Sequence, residues 1–221
     1  MAEKLNQNFS ADFPQKQVRA YTDLYDNAIS LMRSKDLESF DLTKEPQELR
    51  DKYGSDNFGQ GCLLARRLVE NGVRFVEVSY GGWDMHNDVF GNMETRGATL
   101  DSGLSSLLED LDVRGLLSDT MVIVASEFGR TPEIKSGRVG RDHHPSAFSA
   151  LLAGGGIKEG YVHGVSDERA HYVEENGVGM EELNATIAHV MGLRINKTIY
   201  SPSGRPFQVS HGAQPIADVL A

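Results

Sequence analysis

The spacing of hydrophobic residues changes several times along the chain, and each change marks a predicted element. From Gln17 to about Ser34, Val18, Tyr21, Tyr25, Ile29 and Met32 recur every three or four positions, which predicts an amphipathic helix. Residues 1–16 are polar and broken by Pro14, so they read as a loose arm. After the connector Phe40-Asp41-Leu42-Thr43, Thr43 is placed to cap a short helix with Glu45 and Pro46 in its first turn. A helix over about 59–71 carries Leu64, Leu68 and Val69 and stops at Asn71-Gly72. Two more follow the same logic. One spans about 97–114, with Leu104, Leu107, Leu108 and Leu111 before Gly115; the other spans about 180–191, with Leu183, Ile187, Val190 and Met191 before Gly192.

Between these helices the pattern becomes that of strands. Val73–Tyr80 (VRFVEVSY) is rich in β-branched and aromatic residues and ends at Gly81-Gly82. Thr120–Ser126 (TMVIVAS) and Ala147–Ala153 (AFSALLA) are continuous apolar runs of the kind buried on both faces of a parallel sheet. The order strand, helix, strand, strand, helix predicts an α/β layered domain, a mostly parallel sheet flanked by helices. At ~150 residues per domain, 221 residues divide into an N-terminal arm and helix (1–39) and one α/β domain (40–221). There are no internal repeats or low-complexity tracts.

Composition narrows the function. The 39% of hydrophobic residues becomes about 46% when Gly is counted and Tyr left out, which is the content of a globular chain rather than a disordered one. The formal charge of −10 disfavours a nucleic-acid or anionic-membrane surface, both of which need clustered positive charge, and favours a bound cation. No run approaches the ~18 apolar residues of a membrane span. The start lacks the apolar stretch of a signal peptide, which as given reads as cytoplasmic. Cys62, the single cysteine, sits in a helical pattern as a small core residue, so neither disulfides nor thiolate clusters are expected. Association into oligomers is left open.

The chemistry gathers in three loops, each beside a predicted strand, where open α/β sheets bind their ligands. In Gly81-Gly82-Trp83-Asp84-Met85-His86, Asp84 and His86 stand two apart and can present a carboxylate oxygen and an imidazole nitrogen to one ion. The bland alternative is a capping Asp and a surface His. In Glu127-Phe128-Gly129-Arg130-Thr131-Pro132, Glu127 is either a metal ligand or an anchor for Arg130, and Arg130 could instead face an anionic substrate. In Gly140-Arg141-Asp142-His143-His144-Pro145, the alternation of side chains lets only one of His143 and His144 join a centre with Asp142. Asp84, His86, Glu127, Asp142 and His143 form an oxygen-and-nitrogen set that suits a divalent Zn, Mn, Mg or Ca ion. Such an ion could lower the pKa of a water or grip a phosphate or sulfate ester. His144 and His163 are reserve ligands. Gly154-Gly155-Gly156 with Lys158 lacks the spacing of a phosphate-binding loop and reads as a tight strand exit.

With FGQGCLLARRLVENGVRFVEV, GGWDMH, LEDLDVRGLLSDT, SEFGRTP, GRDHHP, LLAGGGIKEG and SGRPF in that order, the chain from about Phe40 to its C-terminus resembles the bacterial family called domain of unknown function 1501 (DUF1501). The resemblance implies kinship with the alkaline phosphatase and sulfatase superfamily, whose members hold one or two divalent metals at the strand ends of an α/β sheet. GGWDMH would stand for that superfamily's Asp-and-His loop, SEFGRTP for its Asp-His-Gly turn and GRDHHP for its late His. Arg130 and Arg141 would then steady a small anionic ester substrate. Glu127-Phe128 offers one ligand where the superfamily has two, and nothing before residue 73 reads as the early strand that carries its nucleophile. The chain therefore resembles the C-terminal part of a longer member, in a family whose members often carry an export signal that would place them in the periplasm. Two functions from different classes follow: a metal-dependent hydrolase, or a non-catalytic binding or scaffolding module in which the same residues form a polar network.

Overall fold

The computed structural model describes residues 16–221; the arm read over 1–16 lies outside it except for Lys16. Helix α1 runs Lys16–Arg33, and Tyr21, Leu24, Tyr25, Leu31 and Met32 along it are all exposed. The cap near residue 43 differs from the expectation. Asp41, not Thr43, supplies the capping carboxylate, accepting from the Thr43 N–H at 3.1 Å, and the short helix α2 (Gln47–Lys52) starts after Pro46 without a side-chain cap.

The core lies between helices α3 (Asn57–Glu70) and α4 (Val89–Val113). Asp56 caps α3, its Oδ1 accepting from the N–H groups of Phe58 and Gly59 at 3.0 Å each. Tyr53, Cys62 and Leu63 are buried, with Leu42, Leu49, Phe58, Val78 and Leu107 packed around them. At Gly103 a Cβ would come within 2.8 Å of the Phe58 ring, so this glycine sets how closely α4 approaches α3. Burial pushes the Cys62 thiol up to about 11, and it stays an inert core group. Helix α4 begins eight residues before the predicted 97 because Asp88 caps it from a left-handed backbone position with φ 44°. That signal lies in residue chemistry rather than in leucine spacing.

An ion-pair network runs along the same helices. The fully buried Arg66 side chain meets Glu45 (Nη2 to Oε2, 2.8 Å), Glu70 (Nη1 to Oε2, 2.6 Å) and Asp110 (Nε to Oδ2, 2.8 Å). Arg114 and the Tyr53 hydroxyl also bond Asp110, at 2.7 and 3.0 Å. Burial pushes the Asp110 carboxyl up, but Arg114, Arg66 and Tyr53 outweigh it and hold the group below its ordinary value.

The predicted parallel sheet is absent among the described residues. Strands occur only as two-stranded antiparallel pairs: β1 (Met121–Val124) with β4 (Leu151–Gly154), β2 (Gly129–Arg130) with β3 (His143–His144), β5 (Val165–Ser166) with β6 (Val173–Glu175), and β7 (Ile199–Tyr200) with β8 (Pro206–Phe207). The fold is therefore mixed helix and small antiparallel ribbons, and the mostly parallel, alkaline-phosphatase-like layer is overturned. Two apolar runs do form strands, but they face each other in register Met121↔Gly154 through Val124↔Leu151. Apolar composition signals burial; it does not encode strand direction. The third run, Val73–Tyr80, pairs with no strand among the described residues. Val76, Val78 and Tyr80 alternate inward, Tyr80 stacking on Phe58 at 4.6 Å between ring centres, while Phe75 is 67% exposed. Its inner face is occupied by helix. Helix α5 (Met180–Val190) follows the predicted 180–191 almost to the residue, with Glu182 accepting from the Gly179 N–H at 2.7 Å. No described helix is long and apolar enough to cross a membrane.

Candidate metal centre

Three segments distant in sequence build one cluster. In the loop that leaves the extended segment, Met85 N–H bonds the Trp83 carbonyl (2.8 Å) and His86 N–H bonds the Asp84 carbonyl (3.0 Å). Two successive three-residue turns coil the chain tightly around the buried Met85 and bring Asp84 and His86 to the same side.

The second and third segments arrive together as the β2–β3 ribbon. Its register sets Arg130 opposite His143 and Gly129 opposite His144. Residues directly opposite in an antiparallel pair share a face, so Arg130 and His143 both point to Asp84 while His144 turns away. The connection between the strands is a hairpin closed by the Lys135 N–H to Gly140 carbonyl bond (3.0 Å) and clamped to the start of α4, where Val89 N–H bonds the Val139 carbonyl at 2.8 Å. Arg141 N–H in turn bonds the Met85 carbonyl at 3.1 Å. A Cβ on Gly140 would lie 2.0 Å from the His86 carbonyl oxygen, so only glycine lets the hairpin approach that backbone.

The result is a convergence on one atom. Asp84 Oδ1 stands 3.0 Å from His86 Nε2 and 3.0 Å from His143 Nε2, and it accepts a hydrogen bond from Arg130. One ligand atom from each of Asp84, His86 and His143 lies within 4.8 Å of the others, which makes this a possible metal-binding group. Two ligands at right angles around an octahedral ion, each about 2.1 Å from it, would be roughly 3 Å apart. The observed oxygen-to-nitrogen spacings fit that edge and equally fit a carboxylate–imidazole hydrogen bond. The Arg130 guanidinium and then the His143 imidazole hold the Asp84 carboxyl below its usual range, so it is ionised at neutral pH.

The remaining predicted residues occupy other positions. Asp142 faces the far side of His86, its Oδ1 3.0 Å from Nδ1, and is paired with Lys135 and, at 3.8 Å, Arg138. Lys135 foremost, with His86, holds its carboxyl below the ordinary value. Glu127 lies 3.6 Å from Arg130 and is exposed. Arg141 is turned away from the cluster, donating to the carbonyls of Thr131 (2.6 Å) and Pro132. His144 Nε2 bonds the His171 carbonyl at 2.6 Å, and His163 Nδ1 faces Asp218 at 3.9 Å.

Sequence reasoning missed Phe128, Lys135 and Arg138. The Phe128 ring lies 4.5 Å from that of His143 and carries the Arg130 guanidinium 5.5 Å above its centre. The only available signal for Lys135 and Arg138 was their position in the short loop between the two polar clusters.

The DUF1501 family model, described as "Protein of unknown function (DUF1501)", matches residues 1–220, well beyond the stretch from Phe40 that the motifs delimit. No curated protein and no solved structure matches the chain.

Proposed function

The chain belongs to the DUF1501 family over residues 1–220, and from that premise we propose that it binds a divalent metal ion through Asp84, His86 and His143 and acts there on phosphate or sulfate esters. The observation that carries this reading is the position of His86, 3.0 Å from Asp142 on one ring nitrogen and 3.0 Å from Asp84 on the other. With its proton on Nδ1 and donated to Asp142, the ring aims the Nε2 lone pair at a carboxylate oxygen. Two acceptors then face each other across a gap that a cation relieves. A carboxylate behind a metal-binding imidazole is also the usual means of fixing its tautomer and strengthening it as a ligand.

When bound, a divalent ion polarises ester oxygens and makes a bound water acidic. The chain's own residues do the rest. Asp142 fixes the His86 tautomer, Lys135 and Arg138 hold Asp142 in place, Phe128 backs His143, and Arg130 offers a two-pronged donor suited to a tetrahedral anion. Kinship with the alkaline phosphatase and sulfatase superfamily is what the family resemblance implies, without the parallel sheet expected to accompany it among the described residues. The partner implied is a small anionic ester.

One observation favours the non-catalytic module. Arg130 already supplies a cation to Asp84, and the nearby hydroxyls of Ser126 and Thr131 are bonded to the backbone carbonyls of Phe128 (3.1 Å) and Glu133 (3.1 Å). Metal analysis of the purified protein, with melting curves in added Mn²⁺ or Zn²⁺ for the wild type and the Asp84→Ala/His143→Ala double variant, tests the proposal. It expects bound ion and a metal-dependent rise in Tm that the double variant loses. Absence of both overturns it. Turnover of aryl phosphate or aryl sulfate, abolished by chelator, excludes the purely structural module.

A further inference from the structure

The carboxylate oxygen that both imidazoles approach is the one Arg130 holds. This inference rests on the metal reading above. A divalent ion at Asp84 Oδ1 and a guanidinium on the same atom are two cations competing for one oxygen. Arg130 has somewhere else to go. Its second prong already faces Glu127 Oε1 at 3.6 Å, its Cζ rests 5.5 Å above the Phe128 ring, and its backbone is fixed in β2 opposite His143. A guanidinium held over an aromatic face can swing its donors without losing its anchorage.

We propose that Arg130 is the cation place-holder of this site: metal entry takes Asp84 from it, and the freed fork, left beside the ion, binds a tetrahedral oxyanion of the sulfate or phosphate class. Metal and anion are then linked. Each raises the affinity for the other by the same factor, because the anion stabilises the state in which Arg130 has left Asp84. Geometry selects the anion class. Two parallel N–H donors match two oxygens of a tetrahedral group, whereas chloride or a single neutral carbonyl leaves one donor unused. With metal bound and no anion present, Glu127 is where the fork rests.

Mn²⁺ binding to the full chain, followed by water-proton relaxation with and without sulfate, tests this in the wild type, Arg130→Gln and Arg130→Lys, with circular dichroism confirming that each folds. In the wild type, sulfate is expected to tighten Mn²⁺ by about 5- to 150-fold, the ordinary range for coupled sites. Arg130→Gln removes the competing charge, so it binds Mn²⁺ alone about 2- to 5-fold more tightly, the effect of losing an exposed ion pair, and it shows no sulfate effect. Arg130→Lys keeps the charge without the fork, so it binds bare Mn²⁺ like the wild type and loses most of the coupling. Equal Mn²⁺ affinities in wild type and Arg130→Gln, with sulfate inert in both, overturn the place-holder while leaving the metal centre standing. Failure of every form to bind Mn²⁺ overturns both.

Discussion

Asp142 and Asp84 carry the same functional group on opposite nitrogens of the His86 ring, yet they do different work. Asp84 presents an oxygen to both imidazoles, whereas Asp142, held by Lys135 and Arg138, meets one imidazole at its rear nitrogen, that of His86. Asp142→Asn is therefore expected to weaken metal binding by about 10- to 100-fold, the usual cost of removing a carboxylate behind a ligating histidine, while Asp84→Asn removes a ligand outright. Titration of each variant with Zn²⁺ separates the two; equal losses would make Asp142 a ligand. The three polar clusters were visible in the sequence because they interrupt apolar runs. The division of labour within them was not, since it depends on which face of a two-residue ribbon each side chain occupies. The fates of Arg130 and Arg141 show the same limit: one faces Asp84 and the other two backbone carbonyls.

Among elements, the β2–β3 hairpin matters most, because it delivers Arg130 and His143 and seats itself on the His86 backbone through Gly140. Gly140→Ala forces a methyl into that backbone contact. The expected cost is about 1–3 kcal/mol of stability, as for other overpacked sites, together with weaker metal binding. Urea unfolding and Mn²⁺ titration of the variant check both, and an unchanged urea midpoint would show that the hairpin can ride off His86. Segment 73–80 makes the opposite case. Its composition is that of a strand, and alternate side chains do pack on the helices, yet Arg74–Tyr80 have no backbone hydrogen-bond partners among the described residues. Hydrogen exchange at these amides is expected to be far faster than in α3 and α4; protection equal to the helices would mean that a strand covers them. Propensity identified an extended segment, but pairing requires a neighbour that propensity cannot supply.

At the scale of the whole molecule, burial is thin. Among the described residues eleven apolar residues are buried, while large ones such as Phe75, Val113 and Val162 stay exposed. Stability is then expected to lean on the buried ion-pair network around Arg66. Arg66→Met removes the central cation, but Glu45 keeps Arg67 and Asp110 keeps Arg114 and the Tyr53 hydroxyl, so the expected cost is about 1.5–3 kcal/mol, that of a lost hydrogen bond between charged groups, read by urea unfolding; a loss below about 1 kcal/mol would show that the pairs add little beyond packing. The pH dependence has a definite sign. Glu45 and Asp110 both sit below their ordinary values in the folded chain, because their arginine partners outweigh the opposing effect of burial. The folded state therefore holds fewer protons than the unfolded one. The network's contribution is complete above about pH 4–5 and is lost as pH falls through the depressed folded values. Tm measured from pH 7 to pH 3 should be flat at first and then drop, and a rise on acidification would reverse the assignment.

The sequence by itself determined the positions of the main helices, the three polar loops and membership of the family, because helical spacing, glycine stops and loop chemistry are written in contiguous residues. Only the tertiary structure decided that β1 and β4 run antiparallel, that segment 73–80 stays unpaired, and that Asp84, His86 and His143 share one corner while Glu127, Arg141 and His144 take other partners. Most of those outcomes depend on contacts that join separate segments, 59 positions apart for Asp84 and His143. Strand direction and side-chain facing follow from which segments pack together, and no local pattern encodes that choice.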